Sequence, residues 1–476
     1  MPRGFLLRPR SAPIESMSRN AVFGCILLLL APAGCTVGPN FAAPAPPNIL
    51  SHAADQNISS QWWELFGSAD LTAMIEEALD NAPSLAAQQA ALRAAQAQRN
   101  AVAGTLFPQF SGSADAARSS SAYGPVAVIS NARTAQVNLA YTLDIWGGER
   151  RSVEEADAGV DQATYMLAAS RLDLAANVAQ TMILIASLHD QIEATGQILD
   201  EERQARELIS EQVSVGAKTQ ADLLQQDALI AQTEVTLPPL AQQLDHAWHQ
   251  LAALTGKEAA PQPQPVYALA DFSLPHNVPA QLPAQLIQQR PDIQEEQAVL
   301  HQRSAAVGVA TANLLPALTL QGAAGTETET FAGLAANGLS IWNIGLGLTQ
   351  PLFEGGTLFA LHAKARAELQ QEAATYQQTV LNALADVDDN LSAVEHDRDL
   401  VIAADNYEQA AASSLAFTRA QYQIGATDLA TLLLQQQGYQ QARLDQIQAV
   451  GRQYQDIVAL YQSLGGGWWT GQGAQR

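Results

Sequence analysis

The sequence predicts a mainly α chain that adds strands to a membrane β-barrel and is built as an internal tandem duplication. Three observations carry this: long stretches rich in Ala and Gln without helix breakers, segments that alternate apolar and polar residues, and landmarks that return about 208 positions later. The 476 residues could hold two or three ordinary domains, yet only 15% are charged, a composition suited to long helices. With 24 Lys and Arg against 47 Asp and Glu, the net charge of −23 leaves no electrostatic footprint for nucleic-acid binding.

The first element is an export signal. Residues 21–34, AVFGCILLLLAPAG, form an apolar run behind Arg19 that is too short to span a bilayer and ends in small residues. Residues 1–34 are expected to be a signal peptide, with Met17 as an alternative start to Met1. Ala33-Gly34-Cys35 resembles a bacterial lipobox, with Pro32 where an aliphatic residue is usual, so Cys35 is the expected lipid attachment site. Cys25 lies inside the leader, which leaves a mature chain with one cysteine and no internal disulfide. Residues 35–68 read as a lipid-anchored tether.

The repeats set the order of everything after the tether. Ala82-Pro83-Ser84 returns as Arg290-Pro291-Asp292, Leu106-Phe107-Pro108 as Leu314-Leu315-Pro316, and Gly147-Gly148 as Gly355-Gly356. Val215-Gly216-Ala217 returns as Ile424-Gly425-Ala426, one position further on, so a single residue has been inserted. Two structural repeats are expected, 69–260 and 284–467, with a proline-rich connector at 261–283 and a tail at 468–476. Each repeat reads as a helix (83–104; 291–312), two strands (109–122 and 132–145; 317–330 and 339–350), a long helix, a glycine turn and a returning helix.

The strands have two unlike faces. Val137, Leu139, Tyr141, Leu143 and Ile145 alternate with polar residues, and Trp342, Ile344, Leu346 and Leu348 alternate with Asn343, Gly345, Gly347 and Thr349. Apolar outside and small or polar inside is the pattern of a barrel wall. Open sheet edges cannot sit in lipid, so four strands per chain must close with strands of other copies. The helices are unusually long: Glu149 to Val213 spans about 98 Å at the α-helical rise. Val380, Leu384, Val387, Leu391, Val394 and Val401 mark a narrow coiled-coil seam, matched one repeat earlier by Leu172, Ala176, Ala179, Ile183 and Ala186. Pro238-Pro239 should kink or break the first returning helix, expected over 218–256.

Enzymatic chemistry is not visible, and no cofactor is expected. His246 and His249 stand three apart without a Cys or Glu at ligand spacing, which reads as a solvated helix face rather than a metal site. GGGWWTGQG at the C-terminus has neither a preceding strand nor a following Lys-Ser/Thr, so it is no phosphate loop.

Cys35-Thr36-Val37-Gly38-Pro39-Asn40-Phe41, Trp63 to Phe66, Arg290-Pro291-Asp292, Pro351 to Gly356 and Leu464 to Trp468 together resemble the lipid-anchored TolC-type outer-membrane efflux channels. The resemblance implies a homotrimer whose strand barrel in the outer membrane continues into a helical tunnel across the periplasm. It also implies partners: outer-membrane lipid, a periplasmic adaptor protein and an inner-membrane efflux pump, commonly of the resistance-nodulation-division class. On that pattern Gly147, Gly148, Gly355 and Gly356 are strand-to-helix junctions, and Val215, Gly216, Ala217, Ile424, Gly425 and Ala426 are adaptor-docking tips. Ala430 and Leu434 fall on the face that resembles the periplasmic constriction, where some relatives carry an aspartate at the second position. Leu434 then reads either as an apolar gate or as a seam residue packed on its neighbour helix, with Asp428 and Asp222 as an acidic entrance. A channel for type I protein secretion and a periplasmic coiled-coil scaffold are the alternatives.

Overall fold

The computed structural model describes residues 36–44, 59–123, 126–259, 265–275, 288–336 and 338–470. Cys35, the expected signal peptide and parts of the tether and connector lie outside them. The chain forms two compact units, and each draws on both repeats. The strands of both halves enter one unit and most of the helical residues enter the other, so a repeat is not itself a compact body. A two-stranded ribbon is marginal alone, and pairing the two ribbons is how each half gains a stable sheet.

The strand unit comprises Thr105–Arg151 and Gly308–Phe359 with the described residues up to Gly38. Its strands are β1 (Gln109–Tyr123), β2 (Val126–Leu143), β3 (Ala317–Thr328) and β4 (Leu339–Thr349), all antiparallel in the order β1-β2-β3-β4. β2 begins six residues before its expected start, because Val126 to Asn131 keep pairing with Tyr123 to Arg118. The register aligns Phe110, Leu139, Gly322 and Ile344 in one row and Asn138, Ala323 and Asn343 in the next. Since facing residues share a side of the pleat, Trp342, Ile344, Leu346 and Leu348 join Val137, Leu139, Tyr141, Leu143, Leu318 and Leu320 on one apolar face. Gln136, Asn138, Thr142, Gln321 and Asn343 occupy the other. The apolar residues of β4 are about two-thirds exposed in the single chain, as a lipid-facing wall requires.

The helical unit contains α1 (Ala69–Asn81), α2 (Pro83–Ala103), α4 (Gln220–Glu234), α5 (Leu237–Leu254), α6 (Pro291–Ala312, up to Val307) and α8 (Leu429–Ser463). Most of the two 67-residue helices α3 (Gly148–Ser214) and α7 (Thr357–Gln423) also belongs to it. Its core corrects the tether reading. Trp62–Phe66 is a 3₁₀ turn whose Trp62, Trp63 and Phe66 are buried with Leu71 and Ile75 of α1, and Trp62 stacks on Tyr461 of α8 at 5.7 Å. The connector is corrected too. Tyr267, Leu269 and Phe272 plug into the same core, and the Tyr454 hydroxyl donates to the Phe272 carbonyl at 2.8 Å. Covered from these sides, α3 buries Leu174, Ala175, Val178, Met182 and Ile185 besides the expected Ala176, Ala179, Ile183 and Ala186, while Leu172 stays half-buried. One stretch of α3 is long and apolar enough to cross a membrane, but 67% of it is buried in the protein.

Two signature motifs gain mechanical roles. Arg290 is buried and donates to the Ser463 carbonyl at 2.9 Å and the Ala383 carbonyl at 3.2 Å, while Asp292 pairs with it at 2.7 Å. A guanidinium there satisfies the last carbonyl of α8 and favours the negative end of its dipole. Gly465, Gly466 and Gly467 all have positive φ and turn the chain after α8. The proline pair breaks the returning helix between α4 and α5. Pro238 and Pro239 lack the N–H groups that the carbonyls of Glu234 and Val235 would need, so α4 stops before them.

Between α3 and α4 lies a fully enclosed carboxyl. Glu202 is 1% exposed; Thr233 donates to its Oε1 at 3.1 Å, Gln226 donates to its backbone carbonyl at 3.1 Å, and its Oε2 has no partner among the described residues. Burial pushes the Glu202 carboxyl up to about 7, Thr233 opposes the shift, and Glu201 and Glu234 add to it. The ionised form is penalised only in the folded state. Stability should therefore be highest below the ordinary Glu range, decline as pH rises towards about 7, and level off above it. Glu202→Gln should abolish that decline and raise stability at neutral pH by up to about 3 kcal/mol per chain. Thermal unfolding of both proteins between mildly acidic and mildly alkaline pH measures it; parallel curves would rule out Glu202 as the source.

Candidate functional site

The positions singled out for function cluster at two kinds of place, the turns between long helices and the corners where strands become helices. At the first turn α3 ends in a left-handed Gly216 at φ 76°, and the Ala217 N–H reaches the Gln212 carbonyl at 2.8 Å. At the second, α7 ends in Gly425 at φ 78°, and Ala426 reaches Gln421 at 2.9 Å. Both are Schellman-type endings, in which glycine is favoured because a Cβ at that φ is strained. Nothing lies within 4 Å of where a Cβ would stand on either glycine, so the demand is conformational and not one of space. Val215 is 78% and Ile424 81% exposed. Each turn thus shows solvent a branched apolar side chain beside a glycine.

The helices leaving the turns are capped by the same pair of residue types with roles exchanged. Thr219 caps α4 and forms a capping box with Asp222, whereas Asp428 caps α8 and accepts from the Thr431 N–H at 2.8 Å. Hydrogen bonds from the Thr219 backbone and hydroxyl hold Asp222 below the usual carboxylate range, and those from Thr431 do so for Asp428. Of the two aspartates read as an acidic entrance Asp428 is exposed and Asp222 half-buried; both are ionised and engaged in starting helices. The Thr-x-x-Asp and Asp-x-x-Thr spacings were the available signal for that duty.

Ala430 and Leu434 lie one turn apart on the exposed side of α8, and Leu434 is 63% exposed. The seam against the chain's own helices is made by Leu429, Leu432 and Gln436. Within one chain Leu434 is not part of that seam. Ion pairs lace the neighbouring helices: Arg203 to Glu234 at 2.8 Å, Arg206 to Asp227, and Arg419 to Glu201 at 2.7 Å. None of these cross-helix pairs was foreseen, since their spacing in sequence carries no periodic signal.

The two corners differ. Gly147 has φ 79°, and a Cβ on it would stand 2.7 Å from Thr36 Cγ2; a Cβ on Gly148, the first residue of α3, would stand 2.9 Å from the Ala312 methyl. Asp144, missed in the sequence, organises this corner by accepting from the Glu149 and Arg150 N–H groups at 3.1 Å and pairing with the Arg150 side chain at 2.9 Å. Val37 donates to the Trp146 carbonyl at 2.9 Å, which holds the residues that follow Cys35 against the corner. At the second corner Gly355 and Gly356 have φ 63° and 88°, with open space around both. Leu352 and Phe353 beside them are almost fully exposed. As for metal ligands, His246 and His249 are exposed on α5. His189, Asp190 and Glu193 approach one another instead, with Asp190 already accepting from the Leu269 N–H at 3.1 Å.

Known proteins share this arrangement. The family described as Outer membrane efflux protein matches residues 74–257 and 282–466, one stretch per repeat. The pyoverdine export outer membrane protein OpmQ of Pseudomonas putida is 33% identical over 86% of this chain and 88% of its own. OpmQ of Pseudomonas aeruginosa is 30% identical over 93% and 95%. The solved structure of the outer-membrane channel OprN superposes with a TM-score of 0.84 at 27% identity, covering 91% of this chain and all of that one. Members of the family are trimeric outer-membrane channels that work with adaptor and inner-membrane pump proteins. A helical barrel plus a β-barrel, an apolar strand face and the absence of any enzymatic site in the family all agree: this chain belongs to the outer membrane efflux protein family and is a TolC-type efflux channel of the Gram-negative outer membrane, extending into the periplasm.

Proposed function

We propose that three copies of this chain form the exit duct of a tripartite pump and engage a periplasmic adaptor through both helical turns, the adaptor linking them to an inner-membrane pump of the resistance-nodulation-division class. The observation that carries this reading is the match between the turns: two sites far apart in sequence present the same left-handed glycine and the same exposed branched residue. Alternating turns around a trimer offer a repeating partner equivalent seats. The pyoverdine-export relatives favour a small-molecule cargo over a secreted polypeptide. Valine at Gly216 and Gly425 should strain each turn by roughly 1–2 kcal/mol and move the apolar tip. The expected result is loss of export and of adaptor cross-linking with the trimer still assembled; persistence of both would move docking elsewhere.

The resting closure is proposed to be a ring of Leu434, one from each copy, that excludes water by packing. Its exposure on α8 next to Ala430 supports this, as does the engagement of Asp222 and Asp428 in caps. Leu434→Ser should raise resting conductance in planar bilayers, whereas Asp428→Asn should mainly lower cation preference. Unchanged conductance of the serine variant would remove Leu434 as the gate.

Cys35 is proposed to carry lipid. Thr36 and Val37, which follow it in sequence, are fastened to the corner at Gly147, where β2 meets its helix. Mass spectrometry of the mature N-terminus should find an acylated Cys35, and Cys35→Ser should abolish the modification. Cleavage at another position would refute it.

A further inference from the structure

The charged side chains of the four strands sort by sign. Among the strand residues described there are four: Asp115 and Arg118 on β1, Arg133 on β2 and Glu327 on β3. Asp115 faces Thr134, and Thr134 faces Glu327, which puts both acids in one row on the polar face that carries Gln136 and Asn138. Arg133 faces Ala116 and Thr328 and shares the parity of Val137, Leu139 and Tyr141; Arg118 shares that of Phe110. Both arginines therefore stand on the apolar, lipid-facing side and both acids on the lumen side. Neither a packing demand nor a solubility demand requires two cations and no anion on a membrane-facing wall.

Their height along the wall is equally specific. The β1–β2 turn is the outer end, because β1 follows a helix and β2 leads into one. Arg133 stands ten residues from Leu143, about 33 Å along the strand and about 25 Å across a membrane at the usual tilt, which matches the height of the apolar band of an outer-membrane barrel. Trp342 lies in the row of Val137 and Ala324, four residues further in, and it shares the outward face. The outward arginines thus lie at the headgroups of the outer leaflet.

Both are available there. Neither forms an ion pair with a described residue. The Arg133 guanidinium is held in place, its Nη1 donating to the Glu329 carbonyl and its Cζ 4.4 Å over the Phe331 ring, while its Nε is buried without an acceptor among the described residues. Arg118 faces Asn131, so it is the diagonal neighbour of Arg133, about 7–8 Å away at the backbone. Two unpaired guanidinium groups this close repel each other unless an anion lies between them, and phosphate oxygens match their donor geometry.

We propose that Arg118 and Arg133 form, on each copy, a binding site for the phosphorylated glycolipid of the outer leaflet, clamping a lipid A phosphate at the outer rim of the barrel. The chain's large negative charge would otherwise repel such a lipid, and this pair supplies a local seat for it.

The test uses the full-length trimer in detergent, with native mass spectrometry reading retained lipid. Bisphosphorylated lipid A should be retained, and the same glycolipid stripped of its phosphates should be retained roughly tenfold less. Arg118→Gln with Arg133→Gln should lose a similar factor, Lys at both positions should keep most of the binding, and Arg93→Gln on α2 should change nothing. Equal retention of phosphorylated and dephosphorylated lipid by the unmodified trimer would overturn the proposal without needing any variant. Full displacement by excess inorganic phosphate would also overturn it, by showing a free-anion site, and so would unaltered binding in the double Gln variant.

Discussion

Backbone hydrogen bonding in hydrocarbon is the constraint on which the rest of this structure depends. Within one chain β1 and β4 are the two outer strands of a four-stranded sheet, and each would present a row of unpaired N–H and C=O groups to lipid. Only closure with further copies removes those edges. Once the sheet is closed, the alternation along β4 acquires its sense, with Trp342, Ile344, Leu346 and Leu348 outward and Asn343 towards the lumen. The duplication follows the same logic. Neither ribbon would be stable alone, and the β2–β3 pairing that joins the repeats makes the four strands one wall.

The two repeats have diverged at their turns and corners. Their turns keep one backbone and exchange the capping residues, which shows that the geometry is retained while the chemistry that secures it is free to change. Their corners have diverged further. The first is clasped by Thr36 and Ala312 and organised by Asp144; the second stands bare, with Leu352 and Phe353 uncovered in a single chain. Equal positions in a duplicated sequence thus serve unequal surroundings.

Much of the architecture was legible in the sequence because it is written in periodicity and breakers. Strand alternation at 137–145 and 339–350, the glycine turns at 216 and 425 and the interruption at Pro238-Pro239 depend on neighbours close in the chain. What stayed illegible depends on contacts between distant segments. Trp62 to Phe66 read as tether because a short aromatic run has no period, yet Tyr461 stacks on it from the far end of the chain. The connector reads as a linker because its prolines dominate, while its Tyr267, Leu269 and Phe272 are core residues. Glu202 resembles any surface glutamate until α4 covers it, whereas the caps at Asp222 and Asp428 are legible as motifs.

The break before Pro238-Pro239 gives the two hairpins different mechanics. The returning strut of the first is jointed, with 15 residues in α4 and 18 in α5, whereas that of the second is a single 35-residue rod. Arg290 grips the far end of that rod at Ser463. The second strut thus runs about 50 Å without a break from beside Gly425 to the aromatic core, whereas the first is interrupted on the way, so the two turns are braced by returning helices of unequal continuity.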